Sequence, residues 1–411
     1  MNNTYKPIED NKRTTIVDIL RGWALLGVVI GNYVDYKFIG LPSDSNAKNI
    51  VTTILGNIHQ YVFAAKSWTL LSVLFGYGFA VLIQNVESKG KNPVGFFAWR
   101  MLILFVLAFV NSAIWLGDIL KDYAFLGLIL LLFYKCSAKT ILRVSLFLLL
   151  TIPLISGYVN TLKYVVPDVY SDPKHLQLYH SSNWFDVFEY NLLGTYYGQM
   201  LNLTYAITVH IMMFTCMLLG FYAQKTDFFT RLPELKKTLK KTFFISLAIA
   251  LLLISVFEIV FSKDLVFPTY FRPGYWLVLS TMFSIATGIC ILYNHNKLQT
   301  LFAYFRLSGK MTLTNYVVQN LLATVIFSGI GLKLYNTMPF WFYYILAVSV
   351  FIIQLFVSKW WLSKFNYGPV EWLWRVLSYK QLFAFKKIAT ESIPKESDAV
   401  VKEQETVVVE L

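Results

Sequence analysis

Residues 14–35 read TTIVDILRGWALLGVVIGNYVD, and this stretch decides the fold. A helix of about 20 apolar residues crosses the hydrocarbon core of a bilayer, and the run from 14 to 34 meets that length. Yet the stretch carries Asp18, Arg21, Asn32 and Asp35. Asp18 and Arg21 are three residues apart, so they are neighbours on a helix. At about 100° per residue, Asn32 and Asp35 return to the same face and make a polar stripe about 25 Å long. Polar and ionisable groups inside a span are costly and turn toward a bundle interior. The first helix therefore predicts companions.

The rest of the chain supplies them. Its 411 residues are 56% hydrophobic, 17% aromatic and only 14% charged, with a mean hydropathy of +0.54. A soluble domain is about 45–50% apolar and about 25% charged, so composition excludes a soluble enzyme, a disordered chain and a fibre. Ten runs read as spans: 14–34, 68–86, 94–116, 118–134, 140–158, 200–222, 242–261, 275–293, 311–332 and 340–362. The expectation is an all-α polytopic bundle of about ten spans, with residues 1–387 as a single transmembrane domain. The tail 388–411 is charged, lacks aromatics and reads as disordered and cytoplasmic.

Lys and Arg set the orientation. With a cytoplasmic N-terminus, 26 of the 36 fall on inner segments and 9 on outer ones, which predicts both termini inside. The same asymmetry accounts for the net charge of +13 without a nucleic-acid partner. Cys136, Cys216 and Cys290 lie in or beside apolar runs and suit neither a zinc site nor a disulfide framework. No cleavable leader is expected at the start, which suits a multi-pass protein of a bacterial inner membrane.

Two outer segments are long. Residues 49–66 form an amphipathic stretch, expected to lie on or dip into the outer face. Residues 159–199 are rich in Tyr and read as an interfacial belt, with a ligand wall as the alternative. His59 is the His just before a span on the outer face, either a structural residue or a general base. His210 lies mid-span and reads as a packing or hydrogen-bonding residue. Asp118 stands at a hairpin and suits an N-cap. Glu258, near the end of a span, is expected to pair with a cation or snorkel. Gly27 and Gly31, and Gly76 with Gly78, suit close helix packing. Thr312, Thr314, Asn315, Gln319 and Asn320 make a dense polar set, serving interhelical hydrogen bonds or substrate contacts. No HExxH, CxxC pair, nucleophile elbow or Walker loop is present, and no metal site is expected.

Several stretches together resemble the YeiB-like family of bacterial multi-pass membrane proteins (domain of unknown function 418). They are Asp18 to Gly27 with Asn32, Leu71 to Phe79, Gly117 to Leu120 with Tyr123, Ala124 and Gly127, and the pair Gly309–Tyr316 with Gln319 and Tyr367–Arg375. The resemblance covers about residues 14–385. The N-terminal half is also similar to transmembrane acyltransferases of the heparan-glucosaminide acetyltransferase type, and about 230–385 is family-specific. What this implies is transfer of an acyl group from cytoplasmic acyl-CoA to an envelope acceptor, a glycan or lipid. Arg21 would then sit at the donor's entrance and His59 would be the base. Family members often carry a His close to Asn111, and this chain has none there.

The expected site is therefore His59, Asp118 and Asn32 as catalytic groups, with Asp18, Arg21, Asn315 and Gln319 binding substrate. In that scheme Asp118 orients His59 and Asn32 stabilises an oxyanion. Acyl-CoA is a substrate rather than a bound cofactor, and a homo-oligomer remains open. The competing readings are a permease for a small envelope-related solute and a non-catalytic accessory protein.

Overall fold

The computed structural model describes residues 13–40, 50–162, 164–260 and 267–387. The tail after Lys387 and the side chain of Glu258 lie outside what is described. The helices, in chain order, are α1 (Thr15–Asp35), α2 (Ile50–Ile58), α3 (Lys66–Glu87), α4 (Pro93–Ile114), α5 (Leu120–Leu130), α6 (Ala138–Thr161), α7 (Pro173–His180) and α8 (Trp184–Thr195). They continue with α9 (His210–Lys225), α10 (Lys236–Val260), α11 (Phe267–Tyr270), α12 (Gly274–Asn294), α13 (Gln299–Lys310), α14 (Thr312–Phe327), α15 (Phe340–Lys364) and α16 (Pro369–Tyr379). The architecture is an all-α bundle. Among the described residues, eight helical segments are long and apolar enough to cross a membrane.

Two of the ten predicted spans are shorter than their apolar runs. Within 118–134, α5 starts only at Leu120, where the Asp118 carboxylate accepts the N–H groups of Leu120 (3.1 Å) and Lys121 (3.3 Å). Within 311–332, α14 stops at Phe327, because Ser328 is extended (φ −86°, ψ 177°). Gly329 beyond it presses on the His180 backbone, where a Cβ would come within 2.1 Å of the carbonyl oxygen. Hydropathy alone does not see either stop.

The core is built on α1, which packs against α3, α13 and α15. Its contact with α13 is backbone on backbone. A Cβ on Gly22 would lie 2.2 Å from the Phe305 carbonyl oxygen, and one on Gly309 would lie 1.8 Å from that of Asp18. The pairing of α3 and α9 repeats the device, with Gly76 against Met217 and Gly220 against Val73. Small residues let helices approach closely where lipid offers no hydrophobic drive. Gly27 obeys that expectation against Ser67 and Phe63, whereas a Cβ on Gly31 would meet nothing within 4 Å. Gly31 faces open space instead.

In α6, Pro153 lacks an N–H, which removes the helical donor for the Leu149 carbonyl. The Trp276 indole of α12 supplies one at 2.7 Å, joining the two helices at the break. The amphipathic stretch is helical and turns Ile50, Val51 and Ile54 outward, 73%, 47% and 50% exposed. The tyrosines of 159–199 do not all form a belt: Tyr179 and Tyr190 are buried and packed on each other, ring centroids 4.6 Å apart.

Candidate functional site

Among the described residues two chambers stand out in the bundle, named here by the predicted orientation. The outer one, about 550 Å³, is lined by Asn32, Asp35, His59, Trp68, Tyr170 and Gln199, among others. The inner one, about 380 Å³, is lined by Arg13, Asp18, Arg21, Arg100, Glu371 and Arg375, among others. Ile119 and Tyr316 line both. Those two side chains are the partition between the chambers.

The first helix runs along both. Asp18 and Arg21 form the predicted ion pair at 2.8 Å, and Arg13 adds a second cation to Asp18 at 2.9 Å. Asn32 and Asp35 open on the outer chamber. The polar stripe read from the sequence is thus a wall that both chambers share.

His59 sits on a wide turn, His59–Phe63, that closes on the Ala64 N–H to His59 carbonyl bond at 2.8 Å. The chain then passes through Ala65 in the left-handed region (φ 62°) before α3 begins. A non-glycine residue held there is strained, and such strain is often kept near functional sites. His59 Nδ1 is buried with no hydrogen-bond partner among the described residues. Asp118 does not orient it.

Asp118 is fully buried and its carboxylate is already engaged. Besides capping α5, it accepts from Asn111 Nδ2 at 2.6 Å and from the Tyr316 hydroxyl at 3.3 Å. An ionised carboxylate only accepts, so Asn111 must turn its NH2 toward it. The Asn111 carbonyl then accepts from Asn320 Nδ2 (3.4 Å), and the Asn320 carbonyl accepts from Asn32 Nδ2 (3.0 Å). The orientation of each amide forces the next. Asn32 therefore spends one N–H on Asn320 and keeps the second, on the wall of the outer chamber.

Beside this relay lies a charged cluster that the sequence reading missed. His210 Nδ1 is 2.9 Å from the Ala206 carbonyl, which can only accept, so Nδ1 bears a proton. Nε2 is 3.0 Å from Asp122 Oδ1, and one further proton must lie between them. Asp122 also accepts from Tyr205 (2.7 Å) and Lys121 (3.2 Å). Lys121 donates in addition to the Asp118 carbonyl (2.7 Å) and to Gln199 Oε1. An ammonium never accepts, so Gln199 meets it with its oxygen and leaves its NH2 for the outer chamber. Only the unusual density of ionisable residues at 118–122 could have signalled this cluster.

The remaining predicted residues are placed elsewhere. Asn315 bonds Ser308 and Ser358, tying α14 to α13 and α15, and lines neither chamber. Gln319 is fully buried, lines neither chamber, and its backbone carbonyl accepts from Tyr33 (3.0 Å). Both contacts are of the helix-joining kind. Glu371 of α16 accepts the N–H groups of Leu313 (2.7 Å) and Thr314 (2.9 Å) and the Thr314 hydroxyl. It caps α14 from a distant segment. Burial pushes its carboxyl above the ordinary range, while those donors pull the other way.

Residues 223–381 match the family described as "Protein of unknown function (DUF418)". Over 399 residues the chain is 28% identical to uncharacterized protein YxaH of Bacillus subtilis (strain 168), covering 92% of this chain and 97% of the relative. It is 26% identical over 381 residues to the uncharacterized 39.9 kDa protein in the amylase 3′ region of Bacillus acidopullulyticus, covering 92% and 97%. A 76-residue segment is 36% identical to uncharacterized protein YeiB of Escherichia coli (strain K12), covering 18% of each.

Proposed function

For a chain that belongs to the YeiB-like DUF418 family, we propose the role of a membrane-embedded acyltransferase. The observation that carries this reading is the pair of chambers meeting at Ile119 and Tyr316. Donor and acceptor can approach that partition from opposite sides. The inner chamber is lined by five cations against two carboxylates, which suits the phosphates of acyl-CoA. The outer chamber mixes aromatic rings with amide and carboxylate groups, which suits an uncharged hydroxyl-bearing envelope acceptor.

The step balances without a further reagent. His59 takes the proton of an acceptor hydroxyl as its oxygen bonds to the thioester carbonyl carbon. The C–S bond breaks, and the proton passes from His59 to the departing thiolate. The products are an acyl ester and free coenzyme A. The second N–H of Asn32 and the Gln199 NH2 are the donors available to the developing oxyanion.

The test is transfer of radiolabel from acyl-CoA to cell-envelope acceptors by protein reconstituted in lipid. Label transfer and thioester hydrolysis above an Arg21→Ala/His59→Ala background support the reading. Rates equal to that background remove it. The same two chambers would also suit a permease. Cysteines placed at Gly31 and Gly78, one on each chamber, would then change accessibility in opposite directions when candidate solutes are added.

A further inference from the structure

The inner chamber holds a cation that no carboxylate among the described residues neutralises. Arg100 of α4 lines it, with Nη1 buried and without a hydrogen-bond partner among the described residues. Its guanidinium lies 3.8 Å from the centre of the Trp374 ring. No carboxylate among the described residues pairs with it, whereas Arg21 on the same chamber has Asp18. An arginine drawn into a bundle interior without a counter-ion is expensive and marks a ligand path by default.

Arg375 repeats the arrangement. It too lines the chamber, stacked 4.4 Å from the centre of the Tyr367 ring. Stacking occupies the face of a guanidinium and leaves the N–H donors along its edge free for a planar or tetrahedral anion. The braces are themselves fixed, since the Trp374 indole donates to the Arg100 carbonyl at 3.2 Å and locks α16 onto α4. The segment from Tyr367 to Arg375 thus supplies one cation and both aromatic braces.

We infer that Arg100 and Arg375, braced on Trp374 and Tyr367, form a site for the phosphate group of a ligand entering the inner chamber. The inference deepens the acyl-donor reading, because it names the group by which the donor is held. Free coenzyme A and an anionic phospholipid headgroup share that chemistry.

Full-length protein in phosphatidylcholine nanodiscs is titrated calorimetrically with coenzyme A and with inorganic pyrophosphate. A second series replaces a third of the lipid by phosphatidylglycerol and follows the melting temperature. The expected result is saturable binding of coenzyme A or stabilisation by phosphatidylglycerol, weakened at least tenfold or abolished in Arg100→Gln and in Arg375→Gln. Arg306→Gln, at an arginine that does not line the chamber, leaves it unchanged. Arg100→Lys falls between, keeping the charge and losing the planar edge. Without ligand, Arg100→Gln melts no lower than the parent, because it removes an uncompensated charge. A purely bracing role predicts a lower melt.

The inference is overturned if folded Arg100→Gln and Arg375→Gln bind every probe like the parent, or if the parent binds none. Binding without acyl transfer keeps this site and removes the acyltransferase reading. Transfer by the parent with undiminished binding in both variants does the reverse.

Discussion

The hydroxyl of Tyr316 donates to Asp118 Oδ1 at 3.3 Å and accepts the backbone N–H of Ile119 at 3.4 Å. Tyr316 and Ile119 are the residues that both chambers share, so the partition is pinned by the same carboxylate that orients the amide relay. Tyr316→Phe removes the acceptor of the part-buried Ile119 N–H, at a cost of about 1–3 kcal/mol. Thermal unfolding of the two proteins in identical lipid measures it. An unchanged melting temperature contradicts the pin.

The buried Asp118 carboxylate accepts from Asn111, Tyr316 and the N–H groups of Leu120 and Lys121. Asp118→Ala uncaps α5, strands Asn111 and leaves Lys121 and Asp122 with one charge fewer around them. Breaking such a buried arrangement costs about 3–5 kcal/mol. A loss of less than about 1 kcal/mol in denaturant unfolding would show that the relay is loosely held.

The backbone contact of α1 with α13 leaves no room at Gly309, where a Cβ would sit 1.8 Å from the Asp18 carbonyl oxygen. Gly309→Ala must push the helices apart, costing about 1–3 kcal/mol and shifting Asp18 with its arginine partners. Its melting temperature falls while Gly31→Ala, with nothing within 4 Å of its Cβ, leaves stability unchanged. Equal melting of both variants would refute the close approach.

Glu371 binds the start of α14 across 57 residues of sequence. Glu371→Ala leaves two N–H donors and a hydroxyl unpaired, at about 1–3 kcal/mol. Because burial raises its folded-state pKa above 4.5, the part of the stability linked to its titration is full below pH 4.5. That part is lost as pH rises through the raised value. Glu371→Gln flattens this dependence in melts taken across the acidic range. A parent whose stability rises over that window, with the rise lost in Glu371→Gln, contradicts the sign.

What the sequence disclosed was whatever repeats along one helix. Asp18, Arg21, Asn32 and Asp35 fell on one face by spacing alone, and all four line the chambers. The motifs at 309–316 and 367–375 could be quoted as a pair, yet the reason for their pairing, Glu371 on Thr314, is a contact between helices far apart in the chain. His210 and Asp122, 88 residues apart, were hidden for the same reason. Periodicity shows which way a residue faces within its own helix, and says nothing of which helix stands opposite. The Asp118 cap that starts α5 was legible as an aspartate at a hairpin, whereas the end of α14 escaped because a serine-glycine stop is a local backbone event inside an otherwise apolar run.

The most direct measurement is a structure of the protein in lipid with a non-hydrolysable acyl-CoA analogue. Acyl-transfer across the partition predicts phosphate density beside Arg21 and Arg100, with the thioester carbon reaching Tyr316 and Ile119 on the side facing His59. Density confined to the lipid-facing surface, or an empty inner chamber at saturating analogue, would contradict it.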